Sequence, residues 1–64
     1  MSRRNGRLLA QRLASEKKLP PLGQQEKIFR KQMEPLVAGF QPGLQERLLA
    51  AAVAAAVEWS KTHR

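Results

Sequence analysis

Residues 48–59 read LLAAAVAAAVEW. Ten apolar residues stand in a row, six of them alanine, before Glu58 and the only tryptophan, Trp59. Alanine has the strongest helix propensity, so the run predicts a helix that needs little tertiary help. Because alanine fills the positions between Leu48, Leu49, Val53 and Val57, its middle is apolar on every side. Such a helix is expected to be covered around most of its circumference. The pattern extends it to about 44–61 and makes the fold class all-α.

Working outward, Gly39-Phe40-Gln41-Pro42-Gly43 carries the punctuation of a turn between helices. Upstream, Leu22, Phe29, Met33, Leu36 and Phe40 recur at spacings of 7, 4, 3 and 4, a single helical stripe. A second helix is therefore expected over about 23–38, forming a helical hairpin with 44–61. Pro35 cannot donate to the carbonyl of Lys31, so this helix either kinks there or ends near Glu34. Residues 19–23, LPPLG, form a Pro-rich spacer, because prolines in series disfavour helix at Leu19 and Pro20. Before it, residues 1–18 are a basic arm or a conditional helix: Leu9 and Leu13 give a narrow stripe, and Gly6 weakens the start by about 1 kcal/mol. The expected organisation is thus 1–18, 19–23, and a hairpin interaction domain over 24–64.

The chain has 64 residues and is 42% hydrophobic, but nine of its apolar residues are alanine. Domains of about 60 residues bury only about 60% of their unfolded surface, and a single small core rarely supplies more than a few kcal/mol. Cysteine is absent, so no disulfide supplements that core. Association is the remaining source of stability. Ala50–Ala54 and Ala52–Ala56 are spaced to let another helix approach closely. The expected core is Phe29, Met33, Leu36, Phe40 and Val53. Leu44, Leu48, Ala51, Ala52, Ala55 and Trp59 are expected to face a second chain, two hairpins closing into a four-helix bundle, as a homodimer or with a partner protein. The alternative at the same residues is a well-formed helix with one weakly apolar side left exposed.

The formal net charge is +7. Residues 1–18 hold Arg3, Arg4, Arg7, Arg12, Lys17 and Lys18 against Glu16 alone. Cations concentrated at one end point to a polyanionic partner, and these six are the candidate contacts for nucleic acid or an acidic protein. Arginine-rich helices pair guanidinium groups with phosphates, and such segments often fold on binding. No aromatic residue interleaves with them, which argues against stacking on single-stranded bases. An anionic membrane surface is a further candidate for the same segment, and a solvated basic tail is the plain alternative.

Chemistry is poorly served. Aspartate, cysteine and tyrosine are missing, His63 is the only histidine, and the five glutamates lie near bases at helical spacing. No metal site, cofactor loop or catalytic constellation can be assembled, so an enzyme is not expected. The run at 48–57 is about half the length needed to span a bilayer, and no secretory pattern is evident. The sequence therefore reads as a small intracellular, cytoplasmic regulatory or accessory protein: a helical dimer that binds nucleic acid through its basic N-terminal arm. The alternative is a protein-binding module, an inhibitor, adaptor or small subunit, that docks on an acidic partner.

Overall fold

The computed structural model describes residues 3–63, and among them the secondary structure is helix alone. Three helices are present: α1 (Arg3–Ser15), α2 (Leu22–Val37) and α3 (Pro42–Thr62). Pro42 opens α3, where its missing N–H costs nothing and its fixed φ suits the first turn. Pro35 sits within α2, which continues to Val37, so only the last turn loses a hydrogen bond. At the turn, the side-chain amide of Gln45 donates to the carbonyls of Ala38 and Phe40, binding the loop back onto α3. At the other end of the hairpin, buried Gln25 of α2 meets buried Ser60 of α3.

Helix α3 is the centre of the molecule, with both α1 and α2 packed on it. Along α2, Phe29, Met33 and Val37 follow one another at four-residue steps and are all buried. They meet Leu49, Val53 and Ala56 of α3, and α1 adds Leu9, Ala10 and Leu13 to the same cluster. Leu19, Leu48, Val57 and Trp59 close its margins, half-buried.

The contact between α1 and α3 is unusually close. A Cβ placed on Gly6 would lie 1.8 Å from the carbonyl oxygen of Ala52. Only glycine admits that approach. Gly6, Ala10 and Ala14 recur every four residues on α1, as Ala52 and Ala56 do on α3. Two small-residue rows therefore face each other, and Ala52 and Ala56 of α3 are buried within the chain, while Ala50 and Ala54 stay exposed.

Two expected core residues need correction. Leu36 and Phe40 are 57% and 43% exposed. The stripe Leu22–Phe29–Met33–Leu36–Phe40 has a mean period of about 3.6, the ideal helical repeat, but the buried row of α2 steps by four, through Gln25, Phe29, Met33 and Val37. That row takes Val37 inward and leaves Leu36 outside, and the helix ends before Phe40. Phe29, Met33 and Val53 are buried.

Candidate nucleic-acid interface

The basic segment is a packed helix with one buried side. Gly6, Leu9, Ala10 and Leu13 fix α1 against the core, which leaves its remaining circumference to the arginines. Arg3, Arg4, Arg7 and Arg12 are all exposed. Arg3 pairs with Glu58 of α3, clamping the start of α1 across the interface. Among the described residues, the only other ion pair joins Arg30 of α2 to Glu46 of α3. There the Glu46 carboxylate hydrogen-bonds the guanidinium and, by its charge, holds Arg30 still more firmly in its cationic form. Among the described residues, Arg4, Arg7 and Arg12 have no such acid.

The end of α1 is built to present two further cations. The Lys17 N–H donates to the carbonyl of Ala14 and the Lys18 N–H to that of Leu13, the paired bonds of a Schellman ending. Lys17 takes the left-handed conformation this ending requires, at φ 59°, where glycine is usual. Both lysines are exposed beside carbonyls at the negative end of the helix dipole. At the opposite end, Arg3 and Arg4 stand in a first turn with no acid, next to the dipole's positive pole. Glu58 offsets the charge of Arg3 there, while Arg4 stands at an end of the helix that disfavours cations.

The residues expected at an interchain contact have different fates. Ala52 and Ala55 are buried within the single chain, Ala52 directly beneath Gly6. Leu48, Ala51 and Trp59 are half-buried, and Leu44 is exposed. Trp59 packs against the core and stacks on the ring of His63, with centroids 4.2 Å apart.

Three features are not apparent from the sequence pattern used above. Gly6 reads there as a weak point of a conditional helix, although its four-residue spacing to Ala10 and Ala14 is the available sign of close packing. Gln25 and Ser60 form a buried polar pair, for which the sequence offers no sign. Leu8, beside the Leu9–Leu13 stripe, points away from the core and is 50% exposed.

Among the described residues no three acidic or histidine side chains converge as metal ligands would, and no helix is long and apolar enough to cross a membrane. Comparison with protein families, curated proteins and solved structures finds no match to the chain. What fold and surface define is a three-helix protein with one cationic helix.

Proposed function

We propose that this protein is a small nucleic-acid-binding accessory or regulatory protein that grips the phosphate backbone with the outer side of α1. The observation that carries the reading is that Arg4, Arg7 and Arg12, exposed on a helix anchored by Leu9, Ala10 and Leu13, and Lys17 and Lys18, exposed just past its end, have no acidic partner among the described residues. An anchored helix loses less entropy on binding than a disordered arm, because its backbone is already ordered. Phosphate contacts of this kind position a protein without reading sequence. A helical homodimer, the form expected from the sequence, would double the basic surface. It would have to associate through residues other than Ala52 and Ala55.

Titration of a labelled duplex across a salt series tests the proposal. Three to five phosphate contacts give a log–log slope of about −3 to −4.5, so affinity falls by roughly two orders of magnitude between about 50 and 200 mM salt. Replacing Arg4, Arg7 and Arg12 by Ala should reduce the steepness of that slope by about three while leaving the helical content intact. Binding that keeps its strength and slope in the triple variant rules the proposal out.

A further inference from the structure

Between α2 and the exposed side of α3 runs an open groove. Ala50, Val53, Ala54 and Val57 line it on α3, and Glu26 and Arg30 line it on α2. Ala50 and Ala54 flank Ala52 in sequence, so at about 100° per residue they lie on the side of α3 opposite α1. Both are exposed, and Val57 is half-buried. Glu58 and Lys61 close one end of the groove. Beyond Ala50, toward the other end of α3, Glu46 and Arg47 stand exposed. The acids Glu26, Glu46 and Glu58 thus balance Arg30, Arg47 and Lys61, on one face of a chain whose net charge is +7. The outer side of α1 has no such balance.

From this apolar floor between charges of both signs, we infer that the groove seats a second copy of the chain, the two α3 helices crossing antiparallel at Ala50 and Ala54. An isologous contact must complement itself, which a balanced face does and a one-signed face does not. The order of charges along α3 selects the register. Arg47 lies one turn before Ala50, and Glu58 one turn after Ala54. At about 100° per residue both are rotated to the same side of the line through the two alanines. A two-fold axis across antiparallel helices brings like sides together with their ends reversed. With Ala50 of each copy against Ala54 of the other, Arg47 therefore meets Glu58 twice across the interface. Within one chain the same two residues are about 16 Å apart along α3 and cannot pair; among the described residues Arg47 has no ion pair. Side chains as small as these alanines let the two backbones approach at the short end of helix spacings. The inference supplies an interface for the dimer of the proposed function and shares nothing else with that reading. Helix α1 lies on the far side of each copy, so phosphate binding can fail while the interface stands.

Sedimentation equilibrium of the full chain, from about 1 to 500 µM and at about 50 mM salt, provides the test. A monomer–dimer equilibrium should fall within that range. Ala50→Glu and Ala54→Glu, both at exposed positions, should each weaken it about tenfold or more and leave the helical content of the dilute protein unchanged. Arg47→Glu and Glu58→Arg should each weaken it by a similar factor, because each sets like charges together twice. Mixed in equal amounts, those two variants should associate with each other about as tightly as the parent does with itself, since every opposing pair again has opposite signs. Such rescue between two chains has no counterpart in the folding of one. Leu36→Ser, in the groove between α1 and α2, should leave the dimer intact. The triple replacement of Arg4, Arg7 and Arg12 by Ala should do the same, which separates this interface from phosphate binding. A chain that remains monomeric up to about 500 µM overturns the inference. A dimer that persists in both alanine variants does so too, as does a pair of charge variants that fails to associate on mixing.

Discussion

Replacing Gly6 by alanine sets two effects of opposite sign against each other. In a helix that only meets solvent, the change stabilises by about 1 kcal/mol, because glycine loses more backbone entropy on becoming helical. Here the new methyl carbon would lie 1.8 Å from the carbonyl oxygen of Ala52, 2.7 Å from its carbonyl carbon and 3.1 Å from its Cα. Carbon and oxygen in contact sit about 3.3–3.6 Å apart, so α1 would have to withdraw by roughly 1.5 Å. The obstacle is backbone, and no rotamer change relieves it. A radial gap of even about 0.5–1 Å forfeits about a quarter to a half of the dispersion at the separated surfaces, and overpacking a tight core commonly costs about 1–3 kcal/mol or more. The steric cost exceeds the entropic gain, and Gly6→Ala should destabilise by about 1–3 kcal/mol net. In a domain of this size each kcal/mol lowers Tm by about 4–8 °C. Urea and thermal unfolding followed by circular dichroism would measure the change. Gly23→Ala and Gly43→Ala are the controls, since a Cβ at either meets nothing within 4 Å, and both should be neutral or stabilising by up to about 1 kcal/mol. A Gly6→Ala protein that melts higher than the parent would refute the packing of α1 on α3. The anchored arginine face proposed to bind phosphate would fall with it.

Other consequences of the structure are open to direct measurement. Lys17→Gly should be more stable than Lys17→Ala by about 1 kcal/mol, because both lose the charge but only glycine escapes the cost of φ 59°; equal melting temperatures would show that the left-handed ending carries no strain. Gln25 donates to the carbonyl of Pro20 at 3.0 Å and to Ser60 Oγ at 2.5 Å, while its own Oε1 is buried without a partner. Gln25→Met and Ser60→Ala should each cost about 1–2 kcal/mol, and the double variant less than their sum, since a lone buried polar partner is worse than none; strict additivity in a double-mutant cycle would deny the coupling. Phe29 has no exposed surface, so Phe29→Ala should cost about 3–5 kcal/mol and leave much of the chain unfolded at room temperature by circular dichroism. A cooperative melt near the parent's would mean that α2 does not share the core.

The helices were legible because their signals are local. Propensity and apolar spacing place α2 and α3 within a residue or two of where they stand, and the Pro-rich break separates α1 from α2. Which leucine faces in was less legible, because it depends on how each helix crosses its neighbour. Leu36 fits the ideal period of α2, yet Val37 takes the inner place once the row steps by four. Leu8 and Leu9 are equivalent in composition, and only the placement of α1 on α3 sends one inward and leaves the other half-exposed. On the candidate interface, the six cations were readable by charge alone. That Arg3 is engaged by Glu58 while Arg4, Arg7 and Arg12 are not required the geometry of two helices far apart in sequence.

The alanine flank shows how a helix apolar on all sides finds cover within its own chain: Ala52 and Ala55 are buried there, while Ala50 and Ala54 stay exposed. A helix apolar on all sides needs more than one neighbour, and from sequence alone the second place falls to another polypeptide. An intermolecular partner must first offset several kcal/mol of lost translational and rotational freedom. Helix α1 is joined to α2 by only six residues, Glu16 to Pro21, so it meets the flank at a high effective concentration without that cost. Its own apolar stripe is too narrow to be stable alone, and packing on α3 gives Leu9, Ala10 and Leu13 a core they otherwise lack. Gly6 makes the contact close enough for alanines, individually poor at filling space, to be enclosed by backbone. Any second chain seeking Ala52 must therefore displace a tethered competitor whose fit is already tight. That competition turns residues 3–15 from a conditional helix into one packed on α3, with its arginines exposed on the outer side.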